Sequence, residues 1–333
     1  MTINTVPMSH RFWRSASAMM VATVLLFLIS RYLMFWLGVP GVDDLTEHLS
    51  DTEGTLSTGK LLQTGAFLAV SFIIFFLIIR WVKKTPQISL MDDSTRYAAW
   101  AAYVVRAAFW SIFLIGIADS VISFLRIEDF LTPLVGEALS QNLDKASWRG
   151  TFVHYPLIAI SLVIAKVSRS LGFTWLALLV VISEFCIVLS RFIFSYEQAF
   201  MGDLVRFWYA GLFLFASAYT LVEGGHVRVD VVYASMSHRA KAWINTFGSI
   251  LLGLPVCWII LTMGMDTKQS SLIGPIISFE MSQSGYGMYV KYLMAGFLLV
   301  FAVSMAFQFV SYILSNIAIL VHAKDAQIAG EES

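Results

Sequence analysis

Long apolar runs dominate the chain and are separated by short polar segments. One such run, 207–222, follows Asp203 and Arg206, contains no charged residue and leads into the polar stretch 223–230. A helix needs about 20 mostly apolar residues to span the hydrocarbon core of a bilayer. The pattern therefore predicts eight transmembrane helices. Their predicted bounds are 16–37, 64–82, 97–125, 152–166, 171–194, 204–222, 242–264 and 289–320.

The charges between these segments predict their orientation, because Lys and Arg accumulate in cytoplasmic loops. The loop 38–63 has five acidic residues against one lysine, which favours the outside. The turn 83–96 and the segment 228–241 are rich in Lys and Arg, which favours the inside. Both termini are then predicted to be cytoplasmic. This alternation needs the short segment 152–166 to span, since without it the basic loop 228–241 would lie outside.

Composition agrees with a membrane protein and excludes one class of partner. Of 333 residues, 58% are hydrophobic and 13% are charged, whereas soluble domains carry about 25% charged residues. The formal net charge is zero, so no overall field favours nucleic acid. The predicted fold class is an all-α polytopic membrane protein with seven or eight spans, in contact with the lipid bilayer.

The sequence contains no recognisable catalytic or cofactor motif. It lacks the patterns typical of serine hydrolases, zinc proteases and P-loop proteins. Cys186 and Cys257 both lie in apolar segments and belong to no metal-spaced cluster. Only His154 of the six histidines lies near a predicted span, and it has no obvious second axial ligand for a haem. We therefore expect no catalytic residue, cofactor or metal, and no enzyme activity.

Ionisable residues within the third predicted helix are candidates for function, because a charge in the hydrocarbon core costs several kcal/mol. Arg106 and Asp119 are 13 residues apart, or about 20 Å along a helix, so they cannot pair with each other. Asp119 and Arg126 are seven apart and share a helical face. They form either a polar patch at the interface or contacts with a neighbouring helix or subunit.

A second group of charges surrounds the turn between the fifth and sixth predicted helices. Glu184 is near the middle of the fifth helix, and Arg191 follows two turns later on the same face. Asp203 and Arg206, three apart, share a face at the start of the sixth. Three interpretations remain open: a structural polar cluster joining the two helices, a proton relay, or contact with another protein.

The stretch after the sixth helix has the features of a helix C-terminus. Gly224 and Gly225 can adopt the positive φ that ends a helix. His226 and Arg228 follow, where positive charge is favourable against the helix dipole. Further on, Ser237 is a predicted N-cap of the seventh helix.

Four of these elements occur together in a recognisable order. They are Arg191-Phe192, the Asp-Leu-Val-Arg sequence at 203–206, the Gly-His-Val-Arg-Val-Asp sequence at 225–230, and the basic helix start at 237–241. In order and spacing, the stretch 176–320 resembles the small membrane subunit (Q-type) of tripartite ATP-independent periplasmic (TRAP) transporters. It departs from the family pattern in having Phe at 192 and Asp at 203, where Tyr and Glu are usual, and in lacking a glycine of the second family helix.

The resemblance implies a division of the chain and a function. Residues 1–150 correspond to an N-terminal membrane extension with about three spans and a long outer loop, as in longer forms of the subunit. Residues 151–322 correspond to the small-subunit membrane domain, and 323–333 to a polar tail. Such a subunit is a non-catalytic scaffold for the large membrane subunit in the bacterial inner membrane. The complex takes up organic acids or related solutes with sodium, and a periplasmic solute-binding protein delivers them; substrate and sodium sites lie on the large subunit.

The resemblance also gives a role to the polar residues of this stretch, as structural or subunit-interface positions. The candidates are Glu184, Arg191, Asp203, Arg206, Glu223, Gly224, Gly225, His226, Arg228 and Asp230. The alternative is an autonomous secondary transporter or channel that uses Glu184, Arg106 and Asp119 as its coupling site.

Overall fold

The fold was examined in a computed structural model of the chain. The structure describes residues 8–39, 58–169, 173–197, 199–223, 231–281 and 287–331. Within these ranges the regular structure is helical and no strand occurs, so the predicted all-α polytopic membrane fold is confirmed.

Fourteen α-helices are defined within the described ranges. They are α1 Met8–Leu37, α2 Thr58–Lys84, α3 Leu90–Ile127, α4 Leu131–Val135, α5 Glu137–Leu143, α6 Ala146–Arg149, α7 Tyr155–Val167, α8 Phe173–Phe194, α9 Ala199–Glu223, α10 Val231–Ala234, α11 His238–Gly248, α12 Leu254–Gly264, α13 Ile273–Ser278 and α14 Lys291–Glu331.

Each of the eight predicted spans coincides with a helix or a continuous pair of helices. Seven of the described helices are long and apolar enough to cross a membrane. They are Ser9–Leu37, Leu61–Lys84, Leu90–Ile127, Ala146–Val167, Thr174–Phe194, His238–Gly264 and Lys291–Val321. The helix α9 is not among these seven, although its 25 residues would extend about 37 Å.

Two of the spans contain a π-helical turn, and each turn is followed by a proline. Gly150–His154 joins α6 to α7 ahead of Pro156, and Ser249–Gly253 joins α11 to α12 ahead of Pro255. Proline has no N–H to donate to the carbonyl four residues earlier, and that carbonyl lies within the π turn in both cases. The regular α-helical hydrogen bonding of both spans is therefore interrupted next to a proline.

The fourth span begins earlier than the sequence predicted, and the outer loop is correspondingly different. Helical structure runs from Ala146 to Val167 rather than over 152–166. The segment 126–151, predicted as a long outer loop of the extension, contains the short helices α4 and α5 and ends at α6. Apolar periodicity missed this start because Arg149 interrupts it. The end of the chain also differs, since α14 continues to Glu331 and includes most of the segment interpreted as a polar tail.

The described residues form two compact units; the first comprises Met1–Ala98, Asp230–Gly253 and Phe309–Ser333. Its most buried charge is Arg14, whose Nε lies 2.6 Å from Asp93 Oδ2. Arg14 Nη1 donates to the Thr85 carbonyl at 2.6 Å, and its guanidinium lies over the ring of Trp81. One arginine of α1 therefore connects the end of α2 to the start of α3.

Small polar side chains bring α3 and α14 close together in the same unit. The hydroxyl of Ser94 donates to the carbonyl of Ser311 at 2.8 Å, and Ser311 donates to the carbonyl of Ser94 at 2.8 Å. Asn245 of α11 donates to Asn316 of α14 at 3.1 Å. Interhelical hydrogen bonds between small or amide residues are typical of membrane helices, where water cannot compete.

The second unit comprises Ala99–Val229 and Leu254–Gln308, and its core is aromatic. Phe207 and Phe215 of α9 are fully buried against Phe297 of α14. Trp208 Nε1 donates to the carbonyl of Ile112 at 3.0 Å. A Cβ at Gly116 would lie 2.4 Å from that same Nε1, so the close approach of α3 and α9 requires glycine there.

Cysteine labelling tests whether Ala146–Val167 crosses the membrane. Thr151 and Val167 are both exposed and lie near opposite ends of this segment. In a background with Cys186 and Cys257 replaced by alanine, Val167→Cys should react with an impermeant maleimide only from the cytoplasmic side. Thr151→Cys should react only from the outer side or be protected by lipid. Labelling of both positions from one side would contradict a spanning helix.

Removing the carboxylate of Asp93 should destabilise the first unit, because it leaves Arg14 charged, buried and without its counterion. We expect Asp93→Asn to lower the free energy of unfolding by roughly 3–5 kcal/mol, measured by denaturant unfolding of the purified chain in detergent. The neighbouring carboxylate of Asp92 is exposed and provides the control. Asp92→Asn should change stability by much less, because an amide oxygen can still accept the hydrogen bond from Ser89 N–H. Equal losses in the two variants would contradict the assignment.

Candidate functional site

A buried polar cluster occupies the second unit around the carboxylate of Asp119. Asp119, Ser123, Arg149 and His154 have no measurable exposure. Arg149 Nη1 donates to Asp119 Oδ1 at 2.9 Å and to the Ser123 hydroxyl at 3.2 Å. His154 Nε2 lies 3.1 Å from the same Oδ1. The alternative in which Asp119 and Arg126 form a patch at the membrane interface is therefore wrong for Asp119, which has its partners on a neighbouring helix.

The π-helical turn explains how one chain segment supplies two donors to one carboxylate. In a π turn the hydrogen bonds join residues five apart, and Tyr155 N–H accordingly bonds to the carbonyl of Gly150. Arg149 and His154 are also five residues apart, so the turn places both beside Asp119. A Cβ at Gly150 would lie 2.3 Å from the Phe279 ring, so the turn also needs glycine at its start.

The same cluster binds the segment that precedes α14. Tyr289 N–H donates to Asp119 Oδ2 at 2.8 Å, so both oxygens of the carboxylate are occupied. The guanidinium of Arg149 lies over the Tyr289 ring, 4.0 Å from its centroid. His154 Nδ1 lies 2.8 Å from the hydroxyl of Tyr292. The approach to α14 is thus fixed by side chains from α3 and from the fourth span.

Two further charged residues act on the same segment. Arg126 Nη2 donates to the Gly287 carbonyl at 3.0 Å, and its Nη1 bonds to the hydroxyl of Tyr289. Met288 N–H donates to Asp203 Oδ2 at 3.1 Å. The predicted site residue Asp203 therefore joins α9 to the start of α14, a contact that the sequence did not reveal.

Protonation within the cluster follows from its hydrogen bonds. The Asp119 carboxylate beside Arg149 accepts, so His154 Nε2 must carry the proton that it donates to Asp119. In the neutral imidazole, Nδ1 then accepts from the hydroxyl of Tyr292. Both carboxylate oxygens of Asp119 accept from donors of the chain, and the side chain has no exposure to solvent. Asp119 is therefore arranged to hold helices together rather than to bind a mobile ion. Among the described residues, no group of three His, Cys, Asp or Glu side chains could hold a metal.

The charges around the turn between α8 and α9 do not form one cluster. Arg191 Nε lies 3.4 Å from Glu197, and both side chains are more than half exposed. Arg206 Nη1 lies 3.5 Å from Asp203, as their spacing predicted. Within the described ranges, no ion pair joins Arg191 to Asp203 or Glu197 to Arg206. The interpretation of one polar cluster joining the fifth and sixth helices is therefore wrong for these side chains.

Glu184 is exposed, although it lies near the middle of α8. Its neighbours on the surface of this helix are apolar, and Val181 and Phe185 are 64% and 59% exposed. Arg106, the third intramembrane charge, lies on α3 about 20 Å along the helix from Asp119. The three residues proposed for an autonomous coupling site thus differ in environment: Glu184 is exposed, Arg106 is partly exposed and Asp119 is buried.

The remaining predicted site residues give less structural information. Glu223 is the last residue of α9, and Gly224, Gly225, His226, Arg228 and Asp230 lie outside the described residues. Of the residues near this stretch, Ser237 is the N-cap of α11, as predicted, and its hydroxyl accepts from Ala240 N–H. The roles of the others stay predictions.

Sequence reasoning missed Arg149 entirely and considered His154 only as a haem ligand. A signal was present, because Arg149 is the one charged residue in the otherwise uncharged sequence 146–165. Had the fourth span been started at Ala146, Arg149 would have been an intramembrane charge in need of a partner. Asp119 is the one acidic residue in the preceding predicted span, 97–125.

Comparison with known families places part of this structure in a functional context. Residues 179–318 match the family described as "Tripartite ATP-independent periplasmic transporters, DctQ component". The resemblance drawn from 176–320 is confirmed. No curated protein and no solved structure matches the chain. The DctQ-like segment begins within α8 and ends within α14, and the preceding extension agrees with a long form of this component.

The buried cluster joins the extension to the DctQ-like segment within the second unit. Asp119, Arg149 and His154 precede residue 179, whereas Tyr289 and Tyr292 lie inside the matched range. Hydrogen bonds of 2.8 Å connect Asp119 to Tyr289 and His154 to Tyr292. The extension therefore supplies part of the support for the last helix of the DctQ-like segment.

Replacement of Asp119 should show how much this cluster contributes. We expect Asp119→Asn to lower the free energy of unfolding by roughly 3–5 kcal/mol, because Arg149 remains buried without a counterion. Hydrogen exchange at the Tyr289 amide should also accelerate, since that N–H loses its charged acceptor. Both are measured on the purified chain in detergent.

The matched control is Asp144→Asn. The Asp144 carboxylate is half exposed and lies 3.8 Å from Arg126 Nε, and exposed pairs contribute about 0–1 kcal/mol. If Asp119→Asn were no more harmful than Asp144→Asn, the buried pair would not support the fold as described.

Proposed function

We propose that this chain is the small membrane component of a TRAP transporter and acts as a scaffold for its large membrane subunit. The observation that carries the proposal is the match of residues 179–318 to the DctQ component. The large subunit would hold the substrate and sodium sites. A periplasmic binding protein would deliver an organic acid or a related solute to it.

The internal chemistry of the chain supports a scaffold role. Asp119 has no exposure, and its oxygens accept from Arg149, His154 and Tyr289. A transported ion or solute would need access to a carboxylate and a way to leave it, and these contacts oppose both. The function proposed here therefore needs neither a cofactor nor an ion site on this chain.

Glu184 supports contact with a second membrane protein. It is exposed near the centre of α8 among apolar neighbours. A charged carboxylate facing lipid at this depth would cost several kcal/mol. A hydrogen-bond donor or a cation on a helix of the large subunit would remove this cost. We propose that the face of α8 containing Glu184, Val181 and Phe185 packs against that subunit.

The proposed orientation follows from the distribution of basic residues. Lys83 and Lys84 end α2, and His238, Arg239 and Lys241 begin α11. If these ends lie in the cytoplasm, both termini do also, and the turn with Arg191 and Glu197 faces the periplasm. The corresponding location is the inner membrane of a bacterium.

Co-purification with the large subunit tests the proposal. Glu184→Leu should weaken the complex by roughly fivefold to thirtyfold in dissociation constant, since an interhelical hydrogen bond in lipid contributes about 1–2 kcal/mol in model systems. Glu184→Gln should retain more of the complex, because its amide can still bond. Both are measured as the amount of large subunit retained by the tagged chain in mild detergent.

Glu197→Gln is the control, because Glu197 is a second exposed carboxylate that lies in the outer turn. It should leave assembly nearly unchanged. Solute uptake in cells should fall with assembly, and the order of preferred solutes should stay the same. Uptake by the purified chain alone in proteoliposomes, or a changed solute preference in Glu184→Leu, would contradict the scaffold role.

A further inference from the structure

Three basic residues, one within α3 and two near the end of α7, have no acidic partner in the described part of the chain. Arg106 lies on α3, and Lys166 and Arg169 lie at the end of the fourth span. Lys166 and Arg169 are exposed, whereas Arg106 is only partly exposed. None of the three forms an ion pair or a hydrogen bond through its side chain with another described residue.

The packing of the two helices brings Arg106 near the end of the fourth span, because Arg106 follows Tyr103 by one helical turn and Lys166 follows Leu162 by one turn. The hydroxyl of Tyr103 donates to the carbonyl of Leu162 at 2.9 Å. Arg149 and Asp119 pair at the other end of the same two helices. The helices are therefore antiparallel, and the beginning of α3 lies beside the end of α7.

The surroundings of Arg106 are incomplete without an anion. Its Nε is buried and has no hydrogen-bond partner among the described residues. The charged group that acts on it most is Arg169, which repels it. A guanidinium offers five N–H donors and no acceptor, and a buried donor without a partner is unfavourable. An anion between Arg106 and Arg169 would satisfy the donor and remove the repulsion.

The apolar surface beside these cations indicates which anion fits. Leu162, Val163 and Val167 of α7 are 44%, 64% and 85% exposed. They lie beside Lys166 on the exposed surface of the same helix. A molecule with an anionic head and hydrocarbon chains matches both features. Basic pockets between membrane helices are typical sites for the head groups of anionic phospholipids.

We propose that Arg106, Lys166 and Arg169 bind the phosphate of an anionic phospholipid, whose acyl chains lie along Leu162, Val163 and Val167. The Arg106 guanidinium donates to the phosphate from between the helices, and Lys166 and Arg169 reach it from the surface. This site precedes the matched DctQ-like segment 179–318, and it does not depend on the proposed role in transport.

Native mass spectrometry of the full chain with defined lipids tests the site. The probes are phosphatidylglycerol and phosphatidylcholine with identical acyl chains, added to the detergent-purified protein. The wild-type chain should retain phosphatidylglycerol in preference to phosphatidylcholine. Arg106→Gln with Arg169→Gln should weaken the retention of phosphatidylglycerol by about fivefold for each cation removed, without affecting phosphatidylcholine.

Three variants separate a specific loss of charge from misfolding and from nonspecific lipid binding. Arg106→Lys should keep most of the preference, because it keeps the charge. Arg169→Gln alone changes an exposed residue beyond the end of α7, so it should fold normally and show about a fivefold loss. A variant with Lys145→Gln and Lys268→Gln removes two exposed cations elsewhere and should change retention less than twofold.

Several results would overturn the proposal. Equal retention of the two lipids by the wild-type chain would exclude a charge-selective site. Unchanged retention in the Arg106 and Arg169 double variant would place the lipid elsewhere. Displacement of the lipid by millimolar inorganic phosphate would indicate a site for a free anion. Loss of a co-purified protein from the double variant, with lipid retention unchanged, would indicate that the anion is a carboxylate of a partner chain.

Discussion

The pairing of Asp119 with Arg149 is the interaction on which the second unit depends. Both side chains are fully buried, and their ion pair of 2.9 Å forms part of a network that also includes His154 and Tyr289. In the hydrocarbon core no water can hydrate a charge that has lost its partner. The pair therefore holds α3 and the fourth span together. Through the bond from Tyr289 N–H to Asp119, it also fixes where α14 begins. In the first unit Arg14 and Asp93 apply the same constraint at 2.6 Å.

The same principle separates the charges that hold the chain together from those available to other molecules. Asp119, Arg149 and Arg14 are buried, and each has an ion-pair partner within the chain, although Arg149 Nη2 has no hydrogen-bond partner among the described residues. Glu184 is exposed to the membrane, and Arg106 keeps a buried N–H without a partner among the described residues. A membrane protein cannot leave such groups facing hydrocarbon without cost. We therefore propose a protein partner for Glu184 and an anionic lipid for Arg106.

The extension has a physical role that its position in the chain did not suggest. It precedes the DctQ-like segment of residues 179–318, yet it supplies Asp119, Arg126 and Arg149 to the segment before α14. His154, just after the extension, contacts Tyr292 in the first turn of α14. Contacts from three different parts of the chain fall within the short stretch 287–292. An element anchored at so many points is a rigid support, in agreement with the scaffold role that we propose.

The sequence by itself determined the membrane class, the position of the eight helices and the family resemblance. Each rests on local information: the length of an apolar run, a cap such as Ser237, or a motif such as Asp203 and Arg206. Only the tertiary structure decided which charges meet. Arg149 reaches Asp119 because a π turn ahead of Pro156 alters the helix, and Asp203 binds Met288 N–H across 85 residues of chain. Hydropathy records how apolar each segment is, whereas the partner of a buried charge depends on how the helices pack against one another.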